Sequence, residues 1–202
     1  MTINIVSFGS ECDIKYQINK YLNLTKETEF FDWLISDIDS VCDILSKDIN
    51  TILTFPNIQL IGYKNINSII KFKNCTKLVS MHDVPIKYSF NDINNFILKY
   101  KRRYNRLIEL IKSNNKTYII RRDNPLDNKI TKFINIINII NPNNNITLIL
   151  LRNDIIDHYI FSKRVICINF NKFKLNKNND WQRNNYAWNL LFDFIIEISK
   201  DN

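Results

Sequence analysis

The 202 residues are 45% hydrophobic and 24% charged, with only 2 Gly and 4 Pro, enough for one sizeable core and too little linker material for a string of modules. No apolar run reaches the roughly 18 residues of a membrane span, and the opening MTINIVSFGS has no basic leader, so a cytoplasmic protein is expected. The formal charge of +8 is discounted as a sign of nucleic-acid binding: 37 Ile, 32 Asn and 20 Lys beside a single Ala, Ala187, mark a chain written in A/T-rich codons, and such a bias draws in Lys without any anionic partner.

In chain order, Ile3–Phe8 reads as a first strand, rich in Ile and Val and ending in Gly9-Ser10-Glu11-Cys12. Cys12 opens a helical pattern over Cys12–Leu22. Phe30-Phe31-Asp32-Trp33-Leu34-Ile35-Ser36 is apolar around one acid, a helix cap or the buried partner of a cation. A helix follows over Ile38–Leu45. Asn50–Asn74 is the least regular stretch and is read as an insertion over one edge. Lys77–Met81 is a second strand, delivering His82 and Asp83 beyond its end.

Asp92–Lys112 carries a clear helical stripe: Ile93, Phe96, Ile97, Tyr100, Tyr104, Leu107, Ile108 and Ile111 share one face. The basic Lys99–Arg106 segment, with its interleaved tyrosines, reads first as a solvated face with core tyrosines, and second as a stretch that touches phosphates. Thr117–Arg121, Ile146–Leu151 and Val165–Phe170 are further strands, with helices over Asp127–Ile140 and Trp181–Ser199. This alternation predicts a single α/β domain over 1–202: three layers, a mainly parallel sheet of about five strands, and helices on both faces.

Ligands of an open parallel sheet gather beyond the carboxyl ends of its strands. That rim collects Cys12, His82, Arg121, Arg122 and Arg152. Cys12 is the cysteine with a functional setting, at a helix start whose dipole favours a thiolate, after a turn that Gly9 permits; the N–H groups of Gly9, Ser10 and their successors are candidate oxyanion donors. His82 suits a general base, with either Asp83 or Asp32 to orient its ring. Arg121 and Arg152 are candidates for an anionic substrate group, or for pairing with Asp32 and Asp123. His158 is read as surface, and Trp188, seven residues after Trp181, as core. Cys42, Cys75 and Cys167 form no CxxC or CxxH pair with Cys12 or each other, which argues against zinc and a disulfide framework; no metal or cofactor is expected.

The same residues, Val6-Ser7-Phe8-Gly9-Ser10-Glu11-Cys12, Phe31-Asp32-Trp33, Met81-His82-Asp83, Arg103 ahead of the strand ending in Arg121, then Trp181 and Trp188, resemble the uncharacterised papain-like cysteine peptidase family of bacteria and large DNA viruses. The resemblance spans nearly the whole chain. It implies a Cys12 nucleophile and a His82 base, and leaves the third member open between Asp83 and Asp32. A cysteine-dependent hydrolase or acyltransferase is therefore expected. The alternative is a non-catalytic anion-binding module in which Gly9–Cys12 cradles a phosphate and Arg121, Arg122 and Arg152 supply charge.

Overall fold

A computed structural model describes residues 3–10, 12–22, 28–169, 171 and 185–200. Glu11, Phe170 and Trp181, which entered the sequence reading, lie outside these residues. Two sheets organise the chain. The first, in the order β1-β6-β7-β9-β8, is built from Ile3–Ser7 (β1), Lys116–Arg122 (β6), Ile146–Arg152 (β7), Val165–Asn169 (β9) and Tyr159–Ser162 (β8). Its first three pairings are parallel, and β8 closes the edge antiparallel to β9. The α/β class with a five-strand, mostly parallel sheet is the one expected.

The second sheet was not foreseen. Leu34–Ser36 (β2), Leu78–Ser80 (β5), Asn67–Phe72 (β4) and Ile58–Lys64 (β3) pair antiparallel in the order β2-β5-β4-β3. Lys77–Met81 therefore does not join the parallel sheet, and the stretch 50–74 holds a regular hairpin, turning at Asn65 with φ +54°. Burial explains both departures. Strands β6 and β7 are buried along nearly their whole length, as strands covered on both faces must be, whereas β4 and β5 alternate buried and half-buried residues, the pattern of an antiparallel sheet with one face in the core.

The first sheet is covered on both sides. On one face Ile5, Tyr118, Ile120, Ile149 and Leu151 meet Ile14 and Ile18 of Asp13–Tyr21 (α1) and Trp188, Leu191, Phe192 and Ile195 of Asn185–Lys200 (α6). The alternate residues Val6, Ile119, Leu148 and Leu150 share a larger core with Ile38–Ser46 (α2), Phe90–Lys112 (α4), Asp127–Ile140 (α5) and the second sheet's Ile70, Phe72 and Leu78. The short helix Ile49–Ile52 (α3) leads into the hairpin. Helix α4 starts in a capping box, Ser89 with Asp92, and buries most of its expected stripe. Among the described residues no helix is long and apolar enough to cross a membrane.

Candidate active site

Beyond β1 the backbone takes two consecutive left-handed steps, Gly9 at φ +69° and Ser10 at φ +74°. A side chain at position 9 would bring its Cβ to 2.4 Å from Ser36 Oγ and 3.1 Å from the Leu34 carbonyl, so this turn is pressed against β2. It delivers Cys12 as the residue that caps the start of α1. The cysteine side chain makes no capping bond, while its carbonyl accepts the Tyr16 N–H at 3.2 Å. Two ion pairs seat the helix: Asp13 with Arg122, 2.8 Å, and Lys15 with the fully buried Asp32, 2.8 Å.

His82 arrives from the other sheet. It lies just past β5, and its Nε2 stands 3.8 Å from Cys12 Sγ. The structure thus brings the two residues together from the ends of strands in different sheets, rather than from one shared rim. Asp83 does not orient the ring. Its carboxylate accepts from Ser80 Oγ at 2.7 Å, Lys99 Nζ at 2.5 Å and Tyr100 Oη at 2.6 Å. Burial opposes ionisation of Asp83, but the Lys99, Tyr100 and Ser80 donors outweigh it and hold the carboxyl below its usual range. Asp83 thereby ties the His82 segment to α4.

Asp32 is also away from the imidazole. It accepts from Lys15 and, at 2.7 Å, from the Glu29 N–H. Burial raises its pKa against the opposing pull of Lys15, the Glu29 amide and Arg103. Since Lys15 lies one helical turn beyond Cys12, Asp32 acts on the placement of the cysteine's helix. Among the described residues the His82 ring has Cys12 as its hydrogen-bonding partner.

The two residues open onto a cleft of about 1160 Å³, lined also by Ser10, Trp33, Met81 and three cations, Lys64, Lys77 and Arg103. The arginines expected there are elsewhere. Arg121 is buried between the sheets, donating to the Phe8 carbonyl at 2.5 Å, to the Ser36 carbonyl at 2.7 Å, to Ser36 Oγ at 3.1 Å and to Asp123 at 2.7 Å. It clamps the end of β1 to β2. Arg152 pairs with Asp154 at 2.7 Å and 2.9 Å and borders a separate depression with Asn124 and Leu126. Each guanidinium, leaving a buried strand, pairs with a carboxylate two residues on, Asp123 and Asp154 respectively; for Arg121 this is one of the two partners expected from the sequence.

The Gly9 and Ser10 amides are also occupied inside the turn, donating to Ser7 Oγ at 3.3 Å and Ser36 Oγ at 3.4 Å. Their part is to shape the turn. Lys64 and Lys77 carry no local signal in the sequence, each being an exposed lysine at a strand end, while Arg103 stands out as part of the basic Lys99–Arg106 segment and through the family resemblance. His158 accepts from the Asn169 N–H, outside this cleft, and Trp188 is core. Among the described residues no three His, Cys, Asp or Glu side chains converge as a metal site.

Burial separates the other thiols from Cys12, which is half-buried. It pushes the Cys42 and Cys75 thiols up to about 11 each and raises Cys167 as well.

A family model described as "Putative papain-like cysteine peptidase" matches residues 3–158. An uncharacterised protein of Acanthamoeba polyphaga mimivirus is 29% identical over 219 aligned residues, covering 91% of this chain and 94% of that protein. No solved structure matches the chain. The family match takes in both sheets up to the end of β7, and with them Cys12, His82 and the whole lining of their cleft. By that match the chain belongs to this papain-like cysteine peptidase family.

Proposed function

We propose that the protein is a cysteine-dependent hydrolase or acyltransferase acting at a carbonyl carbon, with Cys12 as nucleophile and His82 as the proton carrier. The 3.8 Å contact between Sγ and Nε2 at a helix N-terminus carries this reading. The contact is loose, as catalytic contacts often are without substrate. The positive end of the α1 dipole favours the thiolate, and the imidazole accepts its proton.

Attack of Sγ on the carbonyl forms the C–S bond and moves the π electrons onto oxygen. The positive end of the α1 dipole, at the turn that carries Cys12, stabilises the developing oxyanion. Collapse expels the leaving group, which takes its proton from the His82 imidazolium. The remaining thioester passes its acyl group to water or another nucleophile, whose proton returns through His82 to leave the Cys12 thiol restored. Family membership supports peptide bonds as the target.

The anion-binding alternative loses its charges, because Arg121, Arg122 and Arg152 are paired with Asp123, Asp13 and Asp154. Four reduced thiols fit a cytoplasmic location.

A panel of thiol-directed activity probes tests the assignment without knowledge of the substrate. Labelling should map to Cys12 and vanish in Cys12→Ala. If Cys42, Cys75 or Cys167 of the folded protein labels as fast, the nucleophile assignment is wrong.

A further inference from the structure

The cleft beside Cys12 has an unbalanced charge. Its two lining carboxylates are already committed, Asp13 to Arg122 and Asp83 to Lys99. Lys64, Lys77 and Arg103 line the same cleft, and among the described residues none of the three side chains makes an ion pair or hydrogen bond. Arg103 is the most constrained of them. Its guanidinium sits over the Tyr100 ring, 5.0 Å from the centroid, and Tyr100 is fixed in turn by its bond to Asp83.

Arg103 Nη1 is buried without a partner. Leaving a charged donor unsatisfied is costly, and a guanidinium held over an aromatic ring is preorganised for a carboxylate. Asp32 feels the charge of Arg103, yet its hydrogen bonds go to Lys15 and the Glu29 amide.

We infer that the cleft selects acyl substrates carrying a carboxylate close to the reacting carbonyl, an acidic polypeptide segment, with Arg103 as the anchor and Lys64 and Lys77 as a positive rim. This inference rests on Cys12 being the nucleophile. It names the substrate class through groups that take no part in the proton transfer. Arg103 pairs with the carboxylate, while the exposed rim lysines raise the local concentration of acidic chains.

The test uses two electrophiles that differ by one charge, the α-amides of N-iodoacetylglutamate and N-iodoacetylglutamine. In each, Cys12 sulfur displaces iodide: a C–S bond forms, the C–I bond breaks and iodide leaves with the electron pair. The ratio of the glutamate to the glutamine rate at Cys12, at constant pH and ionic strength, reads recognition of the carboxylate. We expect this ratio to fall about tenfold in Arg103→Gln, roughly one charge-assisted hydrogen bond, and to recover in part in Arg103→Lys, which restores the charge without the fork. Lys73→Gln removes the same charge from an exposed position outside the cleft and should move the ratio less than about twofold, since salt screens distant charges.

Two results separate the possible failures. If neither reagent labels Cys12 ahead of the buried thiols, the nucleophile reading falls and takes this inference with it. If both label Cys12 but Arg103→Gln moves the ratio no more than Lys73→Gln, the nucleophile stands and the carboxylate pocket is overturned. Should Arg103→Gln fail to fold, protection of wild-type Cys12 against iodoacetamide by the α-amide of N-acetylglutamate, compared with that of N-acetylglutamine, reads the same pocket. Equal protection would overturn the inference. Inorganic phosphate that protects Cys12 better than acetate at equal ionic strength would make phosphate the ligand, and would likewise overturn the carboxylate assignment.

Discussion

Replacing Arg121 by Met removes the clamp between the sheets while keeping an apolar stem of similar reach. In the folded protein the guanidinium is almost fully buried and makes hydrogen bonds to Phe8 O, Ser36 O, Ser36 Oγ and the Asp123 carboxylate. Burial pulls the Arg121 pKa down, and the Asp123 charge and hydrogen bond resist that pull. Removing one partner of a buried ion pair costs about 3–5 kcal/mol. Asp123 is partly exposed and can return to water, so the lower half of that range is expected, with the two carbonyls bearing most of the loss. In a chain of this length each kcal/mol lowers Tm by roughly 2–4 °C, so thermal unfolding followed by circular dichroism should show a fall of roughly 6–16 °C. Because the same clamp seats the turn before Cys12 against β2, iodoacetamide labelling of Cys12 should slow in the still-folded variant. A Tm within about 2 °C of wild type, together with unchanged Cys12 labelling, would refute the reasoning.

Two further substitutions probe the supports on either side of the site. Gly9→Ala forces a Cβ into a left-handed backbone and to 2.4 Å from Ser36 Oγ, so it should cost at least about 1–2 kcal/mol by thermal unfolding and slow Cys12 labelling. Asp83→Asn should cost about 1–3 kcal/mol at neutral pH by releasing Lys99 and Tyr100. The folded pKa of Asp83 is lowered, so its stabilisation is present above the unfolded carboxylate pKa of about 3.9 and disappears as pH falls through the folded value. Denaturant titrations at a series of pH values should therefore show wild type losing its advantage over Asp83→Asn below about pH 4. Asp32, raised by burial, slopes the other way in both proteins and cancels in the comparison.

The elements that the sequence disclosed are those with a long signal. Helix α4 showed eight apolar positions on one stripe, and α5 matches its expected range, Asp127–Ile140, because neither contains a Gly or Pro to blur its ends. Strands β6 and β7 stand out as short segments centred on Tyr118-Ile119-Ile120 and Leu148-Ile149-Leu150-Leu151, bounded by polar residues. The second sheet was obscured for physical reasons: β2 and β5 are three residues long, and in the hairpin β3–β4 the half-exposed alternation is written in Ile, Asn and Lys, the residues that fill the loops as well. Asn65 at positive φ was the available turn signal.

At the site, Cys12 and His82 could be named because each follows a strand end and carries distinctive chemistry. The acids and arginines could not be assigned, since sequence does not show which carboxylate a buried cation will meet. Asp32 found Lys15, Asp83 found Lys99, and Arg121 found Asp123.

The central claim is that Cys12 and His82 function as one ionising pair. Its most direct test is the pH dependence of Cys12 alkylation by iodoacetamide in wild type and His82→Gln, a change at an exposed residue that should leave the fold intact. An isolated thiol gains reactivity as pH rises toward about 8.5. The pair predicts that wild-type Cys12 stays reactive near pH 6, and that His82→Gln loses at least about tenfold there while approaching the wild-type rate above pH 9. Superimposable profiles for the two proteins would contradict the account.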